Sequence, residues 1–183
     1  MESANAFPYL QPLLDDPSPD VRVQAVLAVT RCVPEKVMEI LPSRISGEAN
    51  PVVLATLISS LGETGKTECR ELIGQFLDNS DSRVVANAID SLQKLCEKTP
   101  SVSITKKVET YLSHEDNRVK SNAIKALWHW KQYNVLDDLK NLLSKGDAKN
   151  QLSAIFVLGE IGHAISLDAK MVKAVNDGRG QSS

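Results

Sequence analysis

One pattern governs how this chain can fold: DSRVVANAIDSL, beginning at Asp81, returns as DNRVKSNAIKAL, beginning at Asp116, 35 residues later. Asp, Arg, Val, Asn, Ala, Ile and Leu recur in the same order, and self-similarity at such a period marks a repeat architecture. The frame Val-x-x-x-Ala-x-x-x-Leu fits Val21/Ala25/Val29, Val53/Leu57/Leu61, Val84/Ala88/Leu92, Val119/Ala123/Leu127 and, with a polar first position, Asn150/Ala154/Leu158. Five repeats therefore start at spacings of 32, 31, 35 and 31 residues. A fourth apolar residue follows the Ala position in each: Val26, Ile58, Ile89, Ile124 and Ile155. Spacing of i, i+4, i+5, i+8 makes one stripe on a helix and cannot make one face of a strand. Each repeat thus holds one such helix, termed B.

Capping residues agree with this register. Asp20 (or Ser18), Asn50, Asp81, Asp116 and Asp147 stand just ahead of the stripes, where a short polar side chain accepts hydrogen bonds from unpaired helix N–H groups. Gly62 and Gly65, and Gly159 and Gly162, fall where the second and fifth B helices should end, with Pro34 and Pro100 beyond the first and third. Between the B helices lie amphipathic A segments: Phe7 to Leu14, Glu35 to Ile45, Thr67 to Leu77, Ile104 to Leu112, Val135 to Leu143, and a last one near Leu167 to Val175. Pro42 is expected to end or kink the second of them. A helix pair of this size cannot bury its own apolar face, so the pairs must stack on one another. Ala25, Ala88, Ala123 and Ala154, at the centre of four stripes, let A and B backbones approach closely.

Composition fits a helical core, since 42% of the residues are hydrophobic and only 4% aromatic, so that Leu, Ile, Val and Ala must fill it. With 21 basic and 23 acidic residues the net charge is −2, too small a field to gather nucleic acid or anionic lipid. Cys32, Cys69 and Cys96 form no CxxC pair and sit in apolar-periodic segments, which predicts burial as small hydrophobes; an odd count suits a reducing cytosol. The start, MESANAFPYLQPLL, lacks the features of a signal peptide, and no apolar run is long enough to span a membrane. The expectation is a soluble, cytoplasmic protein.

The run from Asp15 through Asp20, Val21 and Arg22 to Ala25 resembles the signature of the HEAT-repeat family, including its bacterial HEAT-like variants, and the resemblance covers nearly the whole chain. Only the first repeat keeps that signature intact. Leu54, Val85, Lys120 and Gln151 stand in the position of Arg22, and Gly47, Asp78, Ser113 and Ser144 in that of Asp15, so the family's inter-repeat Asp/Arg ladder should be incomplete. The resemblance implies an all-α, right-handed α-α superhelix of about five helix-hairpin repeats plus a terminal helix. Over residues 1–176 the repeats run roughly 4–32, 34–64, 66–97, 102–132 and 134–162, with a partial one at 165–176 and a flexible tail at 177–183.

The resemblance also implies that the B helices line a concave side. Positions pointing away from the stripe run in three rows: Gln24, Thr56, Asn87, Asn122 and Ser153; Leu27, Ser59, Asp90, Lys125 and Phe156; Arg31, Glu63, Lys94, His129 and Glu160. Five B helices at ~10 Å spacing give a wall roughly 40 Å long, enough for a partner helix or extended peptide.

No P-loop, GxGxxG, GxSxG, HExxH or paired CxxC pattern occurs, which argues against the common catalytic plans. His114, His129 and His163 lie far apart and lack the i, i+4 partner of a helical metal pair, so they read as surface residues. Asn87 and Asn122 hold one ladder position on adjacent repeats, for hydrogen bonds to neighbouring loops or each other, or for contact with a ligand. Trp128 and Trp130 are the only tryptophans; two residues apart on a helix they cannot share a face, so one packs between repeats and the other is a candidate exposed anchor. Lys94, Lys98, Lys106, Lys107, Lys120, Lys125 and Lys131 concentrate positive charge in the third and fourth repeats, as a solvated face or a phosphate or acidic-peptide contact.

The expected function is a non-catalytic protein-interaction scaffold or regulatory module, without cofactor or metal, binding a protein or peptide through Arg31, Asn87, Asp90, Lys94, Asn122, Lys125, His129, Trp128, Trp130 and Phe156. The last A segment runs into NDGRGQSS without a B partner, so the array reads as cut from a longer chain, or as a short solenoid whose open end self-associates. Alternatives carried by family analogy alone are a HEAT-like bilin lyase and, weaker at this net charge, a nucleic-acid-binding HEAT-like protein.

Overall fold

The computed structural model describes residues 6–96, 100–132, 135–145 and 147–165. The expected last A segment at Leu167 to Val175, the tail, Lys98, Tyr133 and the side chain of His163 lie outside the described residues. All regular elements among the described residues are helices, as an all-α repeat chain requires. The helices fall into two compact units, 1–97 and 98–183.

The first unit holds three helix pairs. Helix α1 (Phe7–Leu10) passes into a 3-10 turn over Pro12–Asp15 and packs on α2 (Pro19–Cys32). A 3-10 turn at Pro34–Lys36 leads into α3 (Val37–Ile45), which packs on α4 (Pro51–Glu63). Then α5 (Cys69–Gly74), extended by a 3-10 turn over Gln75–Asp78, packs on α6 (Ser82–Leu95). The even-numbered helices are the B helices, and they stack directly, α2 on α4 and α4 on α6. Their stripes are the core: Val26, Ile58, Leu61, Ile89 and Leu92 are at most 1% exposed.

The second unit repeats this plan. Helix α7 (Val102–Glu109), with a 3-10 turn over Thr110–Ser113, packs on α8 (Asn117–His129), and α9 (Val135–Lys145) packs on α10 (Ala148–Ile165), which in turn stacks on α8. Ala123, Ile124 and Leu127 are fully buried.

Capping follows the expected residues. Asn50 accepts from the amides of Val52 and Val53 at 2.9 and 3.2 Å, Asp81 from that of Arg83 at 2.9 Å, Asp116 from those of Arg118 and Val119 at 2.9 and 3.1 Å, and Asp147 from that of Asn150 at 2.8 Å. At the first B helix the expectation is not met: Asp20 lies inside the first turn of α2, and Ser18 is the N-cap but makes no capping bond. One feature escaped the pattern: the residue two before the cap turns back to accept the cap's own amide, through Asp16, Glu48, Asn79 and His114 at 2.8 to 3.0 Å.

Three expectations are corrected. Of the two outcomes expected at Pro42, an end to the helix is not what occurs: α3 continues to Ile45, with Leu41 and Ile45 in the core. Cys32 is exposed, while Cys69 and Cys96 are buried; α2 ends at Cys32 and the next residue, Val33, takes the interior position. Ile155 is 57% exposed instead of joining the fifth stripe. Packing of α10 on α8 and α9 buries Ala154, Val157 and Ile161 and leaves Ile155 on the uncovered side.

Candidate functional site

The B helices of the first unit stack through backbone-level contacts that fix which residues remain for a partner. Asn87 on α6 donates its amide to the carbonyl of Ala55 on α4 at 2.9 Å, and Ser91 donates its hydroxyl to the carbonyl of Ile58 at 3.1 Å. The helices come this close because Gly62 has no side chain: a Cβ there would meet Ser91 Oγ at 2.5 Å. Asn87 is therefore a stacking residue, bonded to a carbonyl within the neighbouring helix. At the other end of the first unit, Arg22 binds Glu48 through Nε at 2.9 Å and Nη2 at 2.8 Å, and donates to the carbonyl of Asp16 at 2.8 Å. Arg44 meets Asp15 at 2.7 Å. These two contacts tie the first repeat to the second. Hydrogen bonding to Arg22 holds the Glu48 carboxyl below its ordinary range, and the same bond raises the Arg22 guanidinium.

What remains is a polar row. Arg31, Glu63 and Lys94, each in the last turn of its B helix, are all exposed and alternate in sign. Beside them lie half-buried Thr56, Ser59 and Asp90; Asp90 pairs with Lys94 at 3.0 Å, one turn apart. Thr56 hydrogen-bonds within its own helix to the carbonyl of Val52 at 2.8 Å. Arg31, Asp90 and Lys94 are thus the members of the expected site that the first unit presents at an accessible surface.

In the second unit four of the expected site residues are interior and two are exposed. Asn122, Lys125, Trp128 and Trp130 are 8%, 8%, 6% and 5% exposed. The reason is that α8 is enclosed, with nine of its 13 residues buried, so positions opposite the stripe are interior as well. Both tryptophans are buried because Trp130 is not a helical residue: it is the C-cap, and the chain then turns at Lys131 with φ of 64°. The amide of Gln132 bonds to Leu127 O and that of Lys131 to Trp128 O, both at 2.9 Å, closing a Schellman turn. His129 is exposed, and Phe156 is 57% exposed. His114 is half-buried through its bond to the Asp116 amide. Among the lysines, Lys107 lies 5.8 Å from the centre of the Tyr111 ring.

An apolar surface of which the sequence reading named only Phe156 lies on α10, where Leu152, Ile155 and Phe156 are 68%, 57% and 57% exposed. A second, an open groove of about 380 Å³, lies between α2 and the α1 helix with its 3-10 turn, and is lined by Leu10, Leu13, Asp20, Val21, Gln24, Ala25 and Ala28. The only signal for either was their position at the first and last complete repeats.

Comparison with known proteins bears on this geometry. Residues 6–35, which contain Asp15, Asp20, Val21, Arg22 and Ala25, match the HEAT-repeat family model. No curated protein matches the chain in sequence. Among solved structures, the crystal structure of an engineered protein, a Northeast Structural Genomics Consortium target, is similar at 17% identity and a TM-score of 0.52, over 94% of this chain and 84% of that one. At that identity the likeness is one of fold.

Proposed function

We propose that this HEAT-repeat chain is a non-catalytic protein-binding module whose partner lies across the polar row of the first unit. HEAT repeats generally mediate protein–protein interactions, and solenoids use the surfaces of stacked helices for it. The observation that carries the reading is the division of labour on α2, α4 and α6. Asn87, Ser91 and Gly62 are committed to stacking, whereas Arg31, Glu63 and Lys94 stand at one register on successive helices, exposed and outside the core. Alternating charge favours an extended peptide or helix with acidic groups opposite Arg31 and Lys94 and a basic group opposite Glu63. Burial pushes the Cys69 and Cys96 thiols up, which keeps both protonated and unreactive.

The test is site-specific photo-crosslinking. A photoreactive residue at Ser59 or Glu63 should capture a discrete protein in extract of the source cells, and the same residue at Glu39 or Glu71 on the A helices should not. The double substitution Arg31→Glu, Lys94→Glu should abolish capture while leaving thermal unfolding unchanged. Equal capture from the A helices, or capture indifferent to charge reversal, overturns the assignment.

A further inference from the structure

The five B helices share one register, so burial can be compared position by position. Val26, Ile58, Ile89, Ile124 and Ile155 occupy the same place on α2, α4, α6, α8 and α10; the first four are at most 1% exposed and Ile155 is 57% exposed. Ala55, Ala86 and Ser121 are buried at 5%, 0% and 4%, but their counterpart Leu152 is 68% exposed. On α4 this side carries Ala55, Ile58 and Gly62, and it receives α6. On α10 it carries Leu152, Ile155 and Gly159. Gly159 stands where Gly62 stands, within the same Leu-Gly-Glu triplet, yet a Cβ on it would meet nothing within 4 Å.

The opposite side shows the converse. Ser60, Ser91, Ala126 and Val157 share the position through which α6 seats on α4, and all are at most 2% exposed. Their counterpart on α2, Ala28, is half-buried and lines the open groove with Leu10, Leu13 and Val21. Gln24, which also lines the groove, occupies the place of Asn87. The side that receives a following B helix is thus open on α10, and the side that seats on a preceding one is open on α2.

We infer that the α10 face of one molecule receives the α1–α2 groove of a second copy of this chain, joined head to tail, in the register that α4 and α6 use within the first unit. Ala28 seats over Gly159 as Ser91 does over Gly62, Gln24 reaches the carbonyl of Leu152 as Asn87 reaches that of Ala55, and Leu13 covers apolar surface at the rim. The contact continues the stacking of α10 on α8. Polar groups agree with this register: Arg22 on α2 pairs with Glu48, whose place in the first repeat is Asp16, and Arg22's place on α10 is exposed Gln151. Because the two surfaces differ, the contact is heterologous, so association proceeds head to tail and is not limited to a two-fold dimer.

Sedimentation velocity on the full chain tests it, with two variants whose sites are solvent-accessible. Gly159→Phe blocks the receiving face, and a residue larger than Gly at an open helical site does not harm the helix. Ala28→Glu blocks the seating groove. The wild type should grow in mass with concentration, and each variant alone should stay monomeric with an unchanged melting curve. An equimolar mixture of the two should give a dimer and nothing larger, since one intact groove and one intact face remain. Gln151→Arg, opposite Asp16, should strengthen association about tenfold. A wild type that stays monomeric at all concentrations overturns the inference. So does an Ala28→Glu variant that still dimerises, which would mean that two α10 faces meet, and so does a mixture that remains monomeric.

Discussion

Arg22 grips both carboxylate oxygens of Glu48, at 2.9 and 2.8 Å, from side chains that are 17% and 10% exposed. This two-pronged pair joins the first repeat to the second, and its geometry makes it sensitive to pH. The folded state holds the Glu48 carboxyl below its ordinary value of 4.5, chiefly through the Arg22 bond, so the charged form is favoured in the fold. The stabilisation is therefore complete above that value and is lost as pH falls through the lowered one. Glu48→Gln should cost about 0.5–1 kcal/mol at neutral pH once solvent screening is allowed for. It should also flatten the acid limb of a stability profile measured by urea unfolding; a profile that keeps the wild-type slope would show that the pair does not form.

Lys131 holds φ of 64°, at the position where Gly65, with φ of 67°, follows α4. A side chain with a Cβ is strained there by roughly 1 kcal/mol, whereas glycine is not. Lys131→Gly should raise stability by up to about that amount, read as a higher midpoint in chemical denaturation. Gly65→Lys should lower it by a similar amount.

Ile58 and Ile155 share a register and differ in burial, 0% against 57% exposed. Ile58→Ala should cost ~2–5 kcal/mol, since the core around it cannot collapse fully. Ile155→Ala should fall within about 0.5 kcal/mol of wild type in a monomeric sample. Equal effects would refute the difference in covering.

Ala123 is fully buried at the centre of the α8 stripe. Ala123→Asp should cost ~3–5 kcal/mol or more, from overpacking and an unpaired buried charge, and an unchanged melting curve would remove α8 from the core.

The fold was legible in the sequence because each B helix prints its own register: Val84, Ala88, Ile89 and Leu92 are spaced for one helical face, and the structure buries all four. The caps Asn50, Asp81 and Asp116 were readable because short polar side chains satisfy helix amides locally. The surface was less legible, for a physical reason. Periodicity tells which side of a helix is apolar, but not how many neighbours surround it. Lys125 and Asn122 look outward by register, yet α8 is enclosed and buries them. Ile155 looks inward, yet α10 has an uncovered side. The argument that Trp128 and Trp130 cannot share a face assumed a continuing helix, and α8 ends at His129, before Trp130.

The stacking register from which both the polar row and the open α10 face are derived rests on Gly62 against Ser91, and a double-mutant cycle on that pair tests it most directly. A Cβ at position 62 would lie 2.5 Å from Ser91 Oγ and 2.6 Å from its Cβ. Gly62→Ala should therefore destabilise the chain by about 1–3 kcal/mol despite the better helix propensity of alanine. Adding Ser91→Gly should recover part of that loss, with a coupling energy of about 0.5 kcal/mol or more in urea unfolding. Strict additivity, within about 0.3 kcal/mol, would contradict the register.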